Sequence, residues 1–132
     1  MRIYLSQPFA GSSNFSSILS KFNQYLKNLG EFPEDPLEFD ITGFSDKEII
    51  DLDLVKVESC DLIICDLSTP NLGGGVWGEL YHAYRNKIPI IVICPDNAWS
   101  SPWIRYHSRY HFKSGDPLTV EELYETCLQL LK

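Results

Sequence analysis

The sequence predicts an α/β domain in which a parallel sheet is covered on both faces by helices. Two apolar runs, Asp61-Leu62-Ile63-Ile64-Cys65-Asp66-Leu67 and Ile88-Pro89-Ile90-Ile91-Val92-Ile93, have the length and continuity of strands buried on both sides. Strand-like and helix-like segments alternate along the chain with short connections, the pattern of a parallel sheet with right-handed crossovers. Size agrees with one compact domain over residues 1–132: 44% of residues are apolar and 13% aromatic, enough to build a core without disulfide or metal staples.

Each element follows from local chemistry. Residues 2–6 (Arg-Ile-Tyr-Leu-Ser) read as a first strand, and Gln7-Pro8-Phe9-Ala10-Gly11-Ser12-Ser13 as a loop of small residues and helix caps. Phe15, Ile18, Leu19, Phe22, Leu26 and Leu29 recur at helical spacing before Gly30, giving a helix over about 13–29. Between Glu31 and Gly43 two prolines and several acids leave room for one short strand near 37–41. Ser45-Asp46-Lys47-Glu48 matches a capping box and opens a second helix, to about Ser59. The strand over 61–67 ends in Ser68-Thr69-Pro70-Asn71-Leu72-Gly73-Gly74-Gly75, and a helix follows over about 76–86. Pro89 is tolerable at the entrance of the strand over 88–93. Beyond Cys94 the pattern loosens through Pro117, with Trp99, Trp103, Tyr106 and Tyr110 scattered among polar residues and one edge strand near 110–113. Thr119-x-x-Glu122 caps a last helix through Leu131.

Charge and cysteines narrow the partners. Eleven Lys and Arg against 18 Asp and Glu give a net charge of −7, which repels a phosphate backbone at long range, so no nucleic-acid polymer is expected. One phosphate held locally by backbone N–H groups stays compatible with that charge. Cys60, Cys65, Cys94 and Cys127 form no C-x-x-C pair, and three of them sit at the edge of or inside apolar runs as small hydrophobes do, so reduced thiols and a cytoplasmic setting are expected. No apolar stretch approaches a membrane span and the N-terminus does not read as a signal peptide, so no membrane partner is expected. His82, His107 and His111 lack ligand spacing with the cysteines, and no metal or cofactor is expected.

In an open parallel sheet, ligands bind beyond the carboxyl ends of the strands. Three segments converge there: residues 6–13, residues 68–78, and the polar segment after Ile93. The glycines Gly73, Gly74 and Gly75 permit close backbone approach, and Glu79 follows in the first turn of a helix, where the dipole favours a carboxylate. Position alone is equally consistent with ordinary helix-start chemistry for Glu79, and it favours a solvated acid for Asp53 and a loop cap for Asp66. Ser6, Ser12 and Ser13 read most simply as loop-solvating and capping hydroxyls. Gly73-x-Gly75-x-x-Gly78 literally matches a dinucleotide fingerprint, with Asp96 beyond the next strand, but it follows the third strand rather than the first.

Taken in order, Tyr4 in the opening strand, Phe9-Ala10-Gly11, Asp53-Leu54, residues 61–67, Pro70-Asn71-Leu72-Gly73 and Gly78-Glu79-Leu80 resemble the nucleoside 2-deoxyribosyltransferase family. The 2′-deoxynucleoside 5′-monophosphate N-glycosidase branch is similar in the opening strand and the Pro-Asn-Leu-Gly turn. The resemblance spans about residues 1–94. It implies a flavodoxin-like (Rossmann-like) three-layer sandwich with a central parallel sheet of about five strands. It also implies cleavage of the bond between a base and 2-deoxyribose, with Glu79 as nucleophile, Asp53 as acid to the leaving base and Tyr4 positioning the glutamate. By the same resemblance Ser6, Phe9, Gly11, Asn71, Gly73, Gly75 and Trp77 would contact a small-molecule nucleoside or nucleotide substrate, and the chain would form homo-oligomers, the aromatic C-terminal third fitting an interface. Ala10, Pro8 and Asn71 depart from the monophosphate branch, and the stretch from Pro70 to Glu79 is longer, which sets Trp77 beside Glu79. The Trp99 to Trp103 region has the composition to lid the pocket or meet a second subunit, and Arg105, His107, Arg109 and His111 form a local basic cluster that could reach a phosphate, although the segment reads more simply as a solvated loop. A non-catalytic nucleotide-binding or sensing module is the alternative from another class, because related α/β folds host both roles.

Overall fold

In a computed structural model of the chain, the structure describes residues 1–7, 18–68 and 74–132. The elements are β1 (Arg2–Ser6), α1 (Ile18–Asn28), β2 (Phe32–Glu34), α2 (Asp46–Glu58), β3 (Leu62–Asp66), α3 (Gly74–Arg85), β4 (Ile90–Cys94), α4 (Asp96–Trp99), α5 (Pro102–His107), β5 (Tyr110–Lys113) and α6 (Val120–Leu130). All strand pairs are parallel, in the order β2-β1-β3-β4-β5. That order is the flavodoxin-like one, and its switch point lies between β1 and β3.

The alternation of side chains along the strands builds two cores. Tyr4, Ile63, Cys65 and Val92 face one side, where Val57 of α2 and Val76, Leu80 and Ala83 of α3 close over them. Ile3, Leu5, Leu62, Ile64, Ile91 and Ile93 face the other, against Leu19, Phe22 and Leu26 of α1 and Leu123 and Cys127 of α6. Every residue of β3 and β4 is buried, which is why those runs carry no polar alternation. The capping box of α2 forms as the sequence implies, with Ser45 and Glu48 exchanging side-chain and backbone hydrogen bonds.

The structure corrects the element boundaries in three places. The second strand is Phe32–Glu34 rather than 37–41, because the Asp35 side chain accepts the Leu37 N–H at 3.0 Å and caps a 3-10 turn over Pro36–Glu38. The fourth strand begins at Ile90, since the Ile88 N–H still bonds the Ala83 carbonyl and closes α3. Residues 96–107, read from the sequence as irregular, hold α4 and α5, which are too short to show a helical period. Residues 13–17, assigned by periodicity to the first helix, lie outside the described residues. No described helix is long and apolar enough to cross a membrane.

Truncating Ile64, fully buried at the middle of β3, to alanine is expected to cost about 2–5 kcal/mol. Ser45→Ala, which removes one cap, is expected to cost about 1 kcal/mol. Urea unfolding of the two variants checks both values and their ranking.

Candidate active site

Helix α3 turns Val76, Glu79, Leu80 and Ala83 toward the sheet, the i, i+3, i+4, i+7 stripe of an amphipathic helix. Three of those positions are apolar, and the fourth is a carboxylate only 6% exposed. β1 answers it with two hydroxyls. Tyr4 and Ser6, two residues apart, project from the same face of the strand. Ser6 Oγ donates to Glu79 Oε1 at 2.8 Å, and the Tyr4 hydroxyl donates a short hydrogen bond to Oε2. Each carboxylate oxygen is therefore held by one donor from β1, at the switch point between β1 and β3. Cys65, the cross-strand partner of Ser6, is fully buried and its thiol is pushed well above the usual range by that burial.

Burial is the largest influence on Glu79 and raises its pKa to about 7; the Tyr4 and Ser6 hydrogen bonds pull it down, and the charge of Asp53 pushes it up. Burial, then the charge of Glu79, raise the Tyr4 pKa, so its hydroxyl remains a donor through the neutral range. Asp53, on α2, is half-buried, and desolvation raises its pKa also. A second link ties the two carboxylate-bearing helices: His82 Nε2 of α3 lies 2.7 Å from Glu58 Oε1 of α2.

The turn after β2 completes the surroundings. Phe39 sets its ring edge-on to Tyr4, with centroids 6.4 Å apart, and the Lys56 ammonium lies 5.5 Å from the Phe39 centroid. The turn is anchored by buried Asp35, which accepts hydrogen bonds from Gln7 Nε2 at 3.2 Å and Asn23 Nδ2 at 2.9 Å. No sequence signal singles out Phe39, whose neighbours are acids and prolines. Asp35 is legible only as a residue preceding proline.

The structure thus brings Tyr4, Ser6 and Glu79 into contact and sets Asp53 within electrostatic reach. Ser6 is not a loop-solvating hydroxyl: it is fully buried, because the last residue of β1 still faces the α2/α3 core. Gly75 and Trp77 face solvent on α3, Trp77 being 39% exposed. Phe9, Gly11, Asn71 and Gly73 lie outside the described residues. The dinucleotide reading loses its physical basis, since a Cβ at Gly78 would meet nothing within 4 Å, so no close helix–sheet packing needs that glycine. Asp96 is instead paired with Lys113 at 3.0 Å. Asp66 caps its loop as read, accepting the Ser68 N–H at 3.0 Å. The basic cluster of the C-terminal third is split. His111 stacks on Trp99 at 4.4 Å and bonds the Cys94 carbonyl, while His107 packs between Tyr84 and Trp103.

No protein-family model matches the chain, and no curated protein matches it significantly. Solved structures do match. A 2-deoxyribosyltransferase from Bacillus psychrosaccharolyticus superposes with a TM-score of 0.69 at 21% identity, over 86% of this chain and 87% of that one. A CMP N-glycosidase from Clostridium botulinum gives 0.68 at 18% identity over 100% of both chains. A response regulator from Thermotoga maritima gives 0.61 at 17% identity over 98% of both. At these identities the likeness shows the fold. The presence of a response regulator among the neighbours means that function rests on the site.

A buried carboxyl that stays protonated to about pH 7 when folded, but titrates near 4.5 when unfolded, releases its proton on unfolding in that window. Stability therefore falls as pH rises through it, by up to about 3 kcal/mol. Glu79→Gln is expected to be the more stable protein at pH 8 and to lose that advantage at pH 4, as read by urea unfolding at the two pH values.

Proposed function

We propose that the chain cleaves the N-glycosidic bond of a 2′-deoxynucleoside or its 5′-monophosphate, passing the deoxyribosyl group to another base or to water. The observation that carries this reading is the buried Glu79, oriented by Tyr4 and Ser6, with a second carboxyl on the facing helix. Two neighbours of the same fold support it by their chemistry, one a 2-deoxyribosyltransferase and one a CMP N-glycosidase. Cleaving such a bond builds positive charge on the sugar and negative charge on the base, so it calls for one carboxylate at the sugar and one proton donor at the base.

In the mechanism we propose, an oxygen of ionised Glu79 attacks the anomeric carbon. The carbon–nitrogen bond breaks, its electron pair leaves with the base, and Asp53 supplies the proton that neutralises it. The product is a deoxyribosyl ester of Glu79. A second base or a water then attacks the same carbon, Asp53 takes up the proton it releases, and the glutamate leaves as carboxylate. Tyr4 and Ser6 hold the carboxylate oxygens in place without changing their own protonation. A dry surround raises the Glu79 pKa, so the ionised nucleophile is poorly solvated and reactive. Trp77, Gly75, Phe9, Gly11, Asn71 and Gly73 contribute to the substrate pocket in the same proposal. Homo-oligomerisation belongs to it too, and sedimentation velocity at micromolar concentration would detect it.

Chromatography of incubations with each common deoxynucleoside and deoxynucleoside monophosphate, with and without a second free base, tests the reaction. Free base or base exchange is expected, and Glu79→Ala is expected to abolish both; intact ligand throughout would overturn the proposal in favour of a sensing module. Asp53→Asn is expected to lower kcat by about 10²–10⁴-fold. The rising limb of the pH profile is expected near 7, where Glu79 ionises. Tyr4→Phe removes a hydrogen bond that lowers the Glu79 pKa and moves that limb to higher pH. Comparing kcat/KM against pH for the unaltered protein and Tyr4→Phe checks the sign of that shift.

A further inference from the structure

At the opposite end of the sheet from Glu79, the entrance of β4 forms the floor of a cavity of about 600 Å³. Its walls carry Arg85, Lys87 and Arg109, together with Tyr84, Tyr106 and His107, and no carboxylate lines it among the described residues. In a chain of net charge −7 that composition is the reverse of the average surface. None of the three cations pairs with a carboxylate among the described residues. The two tyrosines are joined hydroxyl to hydroxyl at 3.1 Å and their rings lie 5.7 Å apart, presenting an aromatic wall beside the charges.

Lys87 adds an independent observation. It closes α3 with a left-handed backbone, φ 61°, and no other non-glycine described residue has a positive φ. The hydrogen bonds there, Lys87 N–H to Tyr84 and Ile88 N–H to Ala83, repeat those that close α1, where Gly30 N–H bonds Lys27 and Glu31 N–H bonds Leu26. Helix α1 uses glycine at this position, φ 78°, without strain. Helix α3 keeps a lysine in the same conformation, at a steric cost, and so retains a cation at the rim of the cavity.

We propose that this cavity is a second ligand site, taking a small phosphorylated aromatic molecule of the nucleotide class. The phosphates lie among Arg85, Lys87 and Arg109, and the base lies against Tyr84 and Tyr106. The site is distinct from the Glu79 centre, which lies six residues before Arg85 on α3, about 9 Å along the helix axis.

The test is titration of the full chain with ATP and with inorganic pyrophosphate, neither carrying a 2-deoxyribose, followed by amide NMR. Saturable shifts are expected at Arg85, Lys87 and Arg109, with ATP binding more tightly than pyrophosphate and binding weakening as salt rises. Lys87→Gly is expected to weaken ATP binding by about tenfold while leaving the melting temperature unchanged or higher, so that loss of binding is separable from loss of fold. Arg109→Ala is expected to weaken it similarly. Shifts confined to the Glu79 region, equal affinity for ATP and pyrophosphate, undiminished binding in Lys87→Gly, or binding that weakens as protein concentration rises because a second copy covers the cavity, would each overturn the proposal.

Discussion

A carboxylate in the core stripe of a helix is the constraint around which this molecule is arranged. At the Glu79 position packing alone would favour an aliphatic side chain, because an unpartnered carboxyl in the interior costs several kcal/mol. The cost is offset by two hydroxyls from one strand, and that solution demands a strict parity. Tyr4 and Ser6 reach Glu79 only because β1 shows its even-numbered residues to α3. A slip of one residue would set Ile3 and Leu5 against the carboxylate and bury it with no donor. Register between β1 and β3, the phase of α3 and the chemistry of one glutamate are thus a single condition.

The fold was legible where burial writes directly into sequence. β3 and β4 stand out because a strand enclosed on both faces has no reason to contain polar residues, and the helices announce themselves through caps such as Ser45 and Thr119. β2 is not legible in its true place because three residues are too few for a pattern, and the cap that ends it is made by one aspartate whose partners lie 12 and 28 residues away in sequence. The site was less legible from pattern than from resemblance. A carboxylate in a first helical turn, a helical aspartate and a strand tyrosine are each ordinary, and only their order suggested a set. Ser6 reads as a loop hydroxyl because sequence does not say whether the last residue of a strand faces core or loop. Phe39 left no signal.

Helix α3 is polarised along its length. It carries its buried acid near the amino end and its cations, Arg85 and then Lys87, at the carboxyl end. The two cations agree with the direction of the helix dipole, whereas Glu79, the sixth residue of α3, lies beyond the first turn in which the sequence pattern sets it, because the helix already begins at Gly74. The helix also contributes Val76, Leu80 and Ala83 to the core, and through His82 it is tied to α2. Displacing it would alter the packing of the sheet and the spacing of the two carboxyl groups at once.

The brevity of β2 has a further consequence, for how copies of the chain meet. It is an edge strand of three residues with a proline at its centre, and exposed Phe32 begins it. An edge normally offers a row of free N–H and C=O groups on which another molecule's strand can template, the route to fibres and strand exchange. Pro33 removes a donor from the middle of that row, and the capped turn at Asp35 ends it directly afterwards. Backbone-to-backbone growth through this edge is therefore blocked. Contact between copies there falls to side chains, and the chain is spared one path to irreversible aggregation.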